Sequence, residues 1–76
     1  MKTNEALRAI MEKQSVGVAQ LAKRIEKSSR LVSDRLSLEN ISVEKLNEML
    51  RALDYKLVIV PHNKPMSEDK GEFVIE

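Results

Sequence analysis

The stretch from Leu21 to Arg35 constrains the fold of this chain more than any other. Apolar residues lead into it at the i, i+3, i+4 and i+7 spacing of one helix face, at Val18, Leu21, Ala22 and Ile25. Ser28 can cap a second helix, because its hydroxyl can accept a hydrogen bond from a backbone N–H three residues later. The pattern predicts two short helices joined by a tight turn.

The second of these helices has one apolar face and one polar face. Val32 and Leu36 repeat four residues apart on the apolar side. The residues that fall away from this stripe are Ser29, Arg30, Ser33 and Asp34. The pattern therefore predicts two short helices, of which the second presents polar side chains with basic residues nearby. This arrangement is typical of a helix-turn-helix.

Positive charge is concentrated on this stretch. The net charge of the chain is only +1, but residues 23–35 hold five basic residues against two acidic ones. Residues 61–76 instead hold four acidic residues against two basic ones. A local excess of positive charge favours a polyanionic partner, although many charged helix faces are merely solvated.

Helices are also predicted on either side of this motif. Thr3 or Asn4 can cap a first helix, which has apolar residues at helical spacing and reaches about Gln14. Ser42 can cap a fourth helix with a long apolar stripe that should end near Asp54. The turn at Glu26 lacks the glycine that a left-handed conformation favours, so strain is expected there.

The residues after the fourth helix change to β-strand character. The segment Tyr55–Val60 is rich in β-branched residues on both alternating faces, and Pro61 ends it. A second candidate strand, Glu72–Ile75, follows the polar linker Pro61–Gly71, in which Pro65 and Gly71 mark turns. The two strands could form a hairpin, or the first could pair with the same strand of a second copy and so close its exposed edge.

Several classes of protein are disfavoured by composition. The 76 residues include no cysteine, which excludes a disulfide-stapled scaffold and a thiolate metal site. We see no membrane-span candidate and no signal-peptide core, so we expect a cytoplasmic protein without a membrane partner. The single histidine, His62, has no acidic residue within helical reach, and no phosphate loop or nucleophile motif occurs. We therefore expect that the chain is not an enzyme and that it binds no metal, cofactor or small-molecule ligand.

Residues 3–54 resemble the Cro and CI type helix-turn-helix family, also called the xenobiotic-response-element family, and prophage-borne members in particular. The segments that carry the resemblance are Leu21-Ala22-Lys23-Arg24-Ile25, Ser28-Ser29-Arg30-Leu31-Val32-Ser33 and Ile41-Ser42-Val43-Glu44-Lys45-Leu46. The resemblance implies a mainly α fold: a four-helix, lambda-repressor-like domain over residues 1–54, with residues 55–76 as a C-terminal β-strand or hairpin extension.

This chain departs from the family pattern at four places. Gly17-Val18 replace the serine or threonine and glutamine that often begin the second helix, so a usual phosphate contact is missing. Glycines common after the second, third and fourth helices are replaced by Glu26, by Ser37 or Leu38, and by Asp54.

The resemblance implies a sequence-specific DNA-binding regulator, and a repressor in the first instance. The helix that begins at Ser28 would enter the major groove, where Arg30 can donate two hydrogen bonds to guanine. Asp34 would either accept a hydrogen bond from a cytosine amino group or, as we prefer, orient Arg30 across one helical turn. The other residues assigned to DNA are Ser28, whose helix N-terminus can face a phosphate, Ser29 and Ser33 at base edges, Lys23, Lys27 and Arg35 at phosphates, and Asn40 at the entry to the fourth helix.

A homodimer is expected for two reasons: it closes the exposed strand edge, and it presents two recognition helices to a palindromic operator. The best candidate interface comprises Tyr55, Leu57, Val58, Ile59 and Val60, and the fourth-helix face near Met49 and Leu53 is the alternative. The competing functional hypothesis is a protein-interaction module on the same scaffold, such as an antitoxin or a phage-encoded inhibitor of a host system. The acidic C-terminal segment and the missing phosphate contact favour this alternative.

Overall fold

Four helices are followed by two short strands in the computed structural model, which describes residues 1–62 and 71–76. The elements are α1 (Thr3–Gln14), α2 (Val18–Arg24), α3 (Ser29–Leu36), α4 (Val43–Ala52), β1 (Leu57–Ile59) and β2 (Phe73–Ile75). The prediction of a mainly helical chain with a C-terminal β element is confirmed. The predicted turn at Pro65 lies outside the described residues, as does most of the predicted linker.

Each helix contributes to one apolar core. The side chains that are almost completely buried come from all four helices and from the residue after α4: Leu7, Leu21, Val32, Leu36, Met49 and Leu53. These residues lie on the apolar stripes read from the sequence. The polar faces of the helices are consequently turned toward solvent.

Two of the three predicted helix caps are correct. The Ser28 hydroxyl accepts from the Leu31 N–H at 3.1 Å, and the Ser42 hydroxyl accepts from the Lys45 N–H at 3.4 Å. The predicted cap of α1 by Thr3 or Asn4 is wrong, because α1 begins at Thr3 itself. The Thr3 hydroxyl instead joins α1 to the α3–α4 connection, where it accepts from the Ile41 N–H at 2.8 Å.

Three helices end in a left-handed residue that is not glycine. Ser15, Glu26 and Asp54 have φ of 57°, 58° and 62°. After α2 the Lys27 N–H donates to the Ala22 carbonyl at 2.9 Å, and the ends of α1 and α4 repeat this arrangement. The expected left-handed turn at Glu26 is therefore present without the glycine.

The two strands form an antiparallel hairpin within the chain. Leu57, Val58 and Ile59 face Ile75, Val74 and Phe73 respectively. Both strands are shorter than predicted, since Tyr55, Lys56, Val60 and Glu72 lie outside them. The Arg51 guanidinium of α4 donates to the Glu76 carbonyl and ties the end of the hairpin to the helices.

Candidate nucleic-acid interface

The helix α3 is buried along one side only. Val32, Arg35 and Leu36 are buried against the other helices. The side chains on the solvent side are those predicted from the sequence: Ser29, Arg30, Ser33 and Asp34 are all exposed. A polar, exposed ridge on a helix whose opposite side is fixed in a core is a geometry that can enter a nucleic-acid groove.

The expected pairing of Asp34 with Arg30 is not found. Among the described residues, the only salt bridges are Lys2 with Glu39 and Arg35 with Glu48. The side chain of Arg30 is exposed and makes no hydrogen bond to the described part of the chain. Its guanidinium is therefore available to a partner, with its five N–H donors unused.

The structure separates the five basic residues of positions 23–35 into two groups. Arg24 donates to the Ala52 carbonyl at 3.0 Å, and Arg35 binds Glu48 at 2.6 Å. Lys23, Lys27 and Arg30 are exposed, and none of them has an ion-pair partner within residues 1–62 and 71–76. Of the five, only Arg35 has its charge neutralised by an acid of the described residues, whereas Arg24 keeps its charge while it donates to a neutral carbonyl.

The location of Arg35 corrects its predicted role as a phosphate contact. This residue is only 9% exposed, and its guanidinium is bound to Glu48 of α4. Arg35 follows Val32 by three residues and precedes Leu36, so it lies on the buried stripe of α3. A guanidinium held there cannot reach a phosphate on the exposed side without breaking its ion pair.

The C-terminal end of α3 is held by side chains of α1 that the sequence did not reveal. The Leu36 carbonyl accepts from the Asn4 amide at 3.1 Å and from the Arg8 guanidinium at 3.2 Å. The last carbonyls of a helix lack partners within the helix, and this end carries partial negative charge. Arg8 and Asn4 donate hydrogen bonds to a carbonyl at that end and thereby fix it to α1.

A groove of about 730 Å³ runs beside α3 and α4. The basic residues that line it are Lys27, Arg35, Lys45 and Arg51, and the acidic ones are Glu44, Glu48 and Glu76. Sequence reasoning missed Lys45, which lies on another helix but lines the same groove as Lys27. Only the folded chain shows that Lys45 and Lys27 line one groove.

The remaining predicted DNA contacts are at the surface. Asn40 is exposed in the connection between α3 and α4. Ser29 is exposed at the first position of α3, whereas the Ser28 hydroxyl is occupied as the acceptor of the helix cap. Ser28 can therefore act on a partner chiefly through the helix N-terminus that it stabilises.

The predicted dimer residues differ in accessibility. Ile59 is 57% exposed and Tyr55 is also exposed, Val58 and Val60 are half-buried, and Leu57 packs against the helical core. The hairpin exposes two further apolar residues that were not assigned, since Phe73 is 66% exposed and Val74 is 49% exposed. The hairpin thus presents apolar surface on both of its faces.

The two residues named for the alternative dimer surface on the fourth helix are not accessible in this structure. Met49 and Leu53 are 0% exposed, because they form part of the core of the same chain. A second copy could reach them only if this core opened. The exposed apolar residues of the hairpin are the better candidates for an interface.

Within the described ranges, no group of three histidine or acidic residues is placed to hold a metal ion. No helix there is both long enough and apolar enough to cross a bilayer. Comparisons with protein families, with curated proteins and with solved structures found no match to this chain.

Proposed function

We propose that this chain is a sequence-specific DNA-binding regulator, and specifically a repressor, in which α2 and α3 act as a helix-turn-helix. The observation that supports this proposal is the exposed ridge of Ser29, Arg30, Ser33 and Asp34 on α3. The exposed basic residues Lys23 and Lys27 precede this ridge in the sequence. The same helix carries the resemblance to the Cro and CI type family.

The residues of the ridge would contact base edges, while the nearby lysines would bind phosphates of the DNA backbone. Arg30 can donate two hydrogen bonds to the O6 and N7 atoms of guanine, which are worth roughly 1–3 kcal/mol of discrimination. Asp34, which does not pair with Arg30, is better suited to accept a hydrogen bond from a cytosine amino group. Lys23, Lys27 and Lys45 would contact phosphates, which position the helix without reading sequence.

The proposal includes a homodimer formed through the C-terminal hairpin. A second copy would cover the apolar side chains of Ile59 and Phe73, which pair across the hairpin and therefore lie on the same face. Two copies related by a two-fold axis would place two recognition helices about 34 Å apart on one side of a palindromic operator. Each protomer would then contribute one half-site.

The exposed apolar residues of the hairpin also support a second candidate function, which is binding to another protein. Exposed apolar residues in contiguous positions are typical of protein-binding surfaces. A chain that uses this surface for another protein would be a protein-interaction module, such as an antitoxin or an inhibitor of a host system. In that case α3 would have no role in reading DNA.

Selection of duplexes from a random DNA pool tests the proposal directly. We expect enrichment of a palindromic sequence, and fluorescence anisotropy with the enriched duplex then gives the Kd for each variant. Arg30→Ala should relax the preference at one base pair of each half-site. Arg30→Lys should relax it almost as much, because an ammonium group keeps the charge but lacks the planar pair of donors.

Lys56→Ala is the matched control for loss of positive charge. Lys56 is exposed and lines a different groove, to which no residue of α2 or α3 contributes. Its removal should leave both affinity and sequence preference unchanged. A protein that enriches no duplex at low ionic strength, or an Arg30→Ala variant with unaltered base preference, would contradict the proposal.

A further inference from the structure

The geometry points to Arg35 as a positioning residue: its ion pair with Glu48 sets the orientation of α3 and thereby the base contacts of Arg30. This inference rests on the proposed function. It assigns to Arg35 an effect on DNA recognition without contact with DNA.

The ion pair lies in a place where an apolar residue would ordinarily pack. The side chains of Arg35 and Glu48 are 11% and 38% exposed, and their nitrogen and oxygen atoms are 2.6 Å apart. Removing two charges from water costs free energy that their attraction often fails to recover, so such pairs are frequently no more stabilising than apolar residues of similar volume. Stability alone is therefore a weak reason for a charged pair on this stripe.

A hydrogen-bonded ion pair depends on the relative orientation of its partners, whereas apolar packing depends on it much less. Burial of Val32 and Leu36 is favourable in proportion to the area removed from water and tolerates small rotations of the helix. A hydrogen-bonded pair depends on distance and angle. The contact between Arg35 and Glu48 therefore opposes rotation and sliding of α3 against α4.

Polar contacts with α1 hold the same end of α3. The Leu36 carbonyl accepts from Asn4 and Arg8 of α1, at 3.1 and 3.2 Å. The final two residues of α3 are thus fixed to α4 and to α1, whereas the exposed ridge begins at the opposite end of the helix. The contacts of Leu36 with α1 provide a pivot, and the contact of Arg35 with Glu48 prevents α3 from turning about it.

The length of the helix makes this movement large enough to matter. Arg30 precedes Arg35 by five residues, which is about 7.5 Å along the helix axis. A tilt of about 10° around the C-terminal end would shift the Arg30 backbone by about 1.3 Å, beyond the roughly 0.5 Å within which a preorganised contact must be held. Loss of the ion pair should therefore weaken recognition of the correct bases more than attraction to any duplex.

The test compares four variants with the wild-type chain: Arg35→Met, Glu48→Gln, the double variant Arg35→Met/Glu48→Leu, and the charge exchange Arg35→Glu/Glu48→Arg. Each is measured for its midpoint of thermal unfolding, for its affinity toward the selected duplex and toward an unrelated duplex of equal length, and for the salt dependence of both affinities. The double variant separates positioning from stability, because apolar residues can replace the pair without leaving a buried charge.

We expect the double variant to remain folded and to lose about fivefold in the ratio of specific to non-specific affinity. This loss corresponds to about 1 kcal/mol, the lower end of what one bidentate base contact contributes. Its salt dependence should equal that of the wild type. The charge exchange should restore most of the ratio, since it rebuilds the pair with the charges reversed. Glu48→Gln keeps the size of the side chain and should show a smaller loss of the same kind.

A direct phosphate contact by Arg35 gives a different pattern and would overturn the inference. In that case Arg35→Met would weaken binding to both duplexes equally and would lower the slope of log K against log salt by about 0.9. The charge exchange would then fail to restore binding, because it would turn a carboxylate toward the phosphate. An unchanged ratio in the folded double variant would overturn the inference as well.

A measurement without DNA separates this inference from the proposed function. Residual dipolar couplings of the amide N–H groups report the orientation of α3 relative to α1 in solution. These couplings should change for α3 in the double variant and return toward wild-type values in the charge exchange. If the wild-type chain binds no duplex, the proposed function fails, while unchanged couplings refute the positioning role itself.

Discussion

The turn that joins α2 to α3 offers the sharpest test of how this chain forms its helix pair. Glu26 has a φ of 58°, and it is exposed without an ion-pair partner in the described part of the chain. A residue with a Cβ atom pays roughly 1–2 kcal/mol for this left-handed conformation. Glycine avoids this strain, but its greater conformational freedom in the unfolded chain cancels roughly 0.5–1 kcal/mol of the resulting stabilisation.

We therefore expect Glu26→Gly to raise the free energy of unfolding by about 0.5–1 kcal/mol. For a domain of this size that corresponds to roughly 2–8 °C in the midpoint of thermal unfolding. The backbone hydrogen bonds of the turn should persist, since the Lys27 N–H and the Ala22 carbonyl keep their 2.9 Å contact whatever the side chain at position 26. The gain comes from backbone conformation and not from any new contact.

Two controls isolate this cause, with urea and thermal unfolding followed by circular dichroism. Glu26→Gln removes the charge but retains the Cβ atom, so it should recover only a few tenths of a kcal/mol from the adjacent helix C-terminus. Glu12→Gly places the same substitution inside α1, where φ is negative, and should destabilise by about 1 kcal/mol. Equal stabilities of the Glu26→Gly and Glu26→Gln variants would refute the argument from left-handed strain.

Two further predictions concern the cap of α3 and the hairpin. Ser28→Ala should cost about 1 kcal/mol in urea unfolding, because the Leu31 N–H loses its acceptor, whereas Ser33→Ala on the exposed side should change stability by less than about 0.5 kcal/mol. Ile59→Asp should yield a monomer by light scattering, while Lys56→Asp should leave the mass unchanged, since only the former places a charge in the proposed apolar interface. A dimer that survives Ile59→Asp would refute the hairpin as the interface.

The helical part of the fold was predictable because each helix encodes its own buried side. The apolar spacing of α2 and α4 and the serine caps at Ser28 and Ser42 are local signals, which depend on residues within one or two turns. The cap of α1 was not predictable, because the Thr3 hydroxyl binds groups of residues 39 and 41. No local pattern reveals a partner that distant in the sequence.

The same distinction explains which site residues were placed correctly. Arg30 could be assigned to the exposed side of α3 from helical periodicity alone. The prediction that Arg35 contacts a phosphate was wrong because it rested on the charge of this residue and not on its position on the buried stripe. The acid that neutralises Arg35 lies thirteen residues away on α4, where no local pattern reveals it. Lys45 was missed because the groove that it lines together with Lys27 forms only after α4 has packed.

The salt dependence of DNA binding follows from this corrected set of free charges. With Arg35 bound to Glu48 and Arg24 directed at the Ala52 carbonyl, the proposed phosphate contacts are Lys23, Lys27 and Lys45, which makes three for each protomer and six for a dimer. The slope of log K against log salt should then be about −5.4 for a dimer and about −2.7 for a monomer, at 0.9 for each contact. Between 50 and 200 mM salt the dimer should lose about 10³-fold in affinity, and the Ile59→Asp chain should lose about 40-fold. A wild-type slope near zero would mean that these lysines contact no phosphate, and equal slopes for the two chains would mean that the second copy adds no DNA contact.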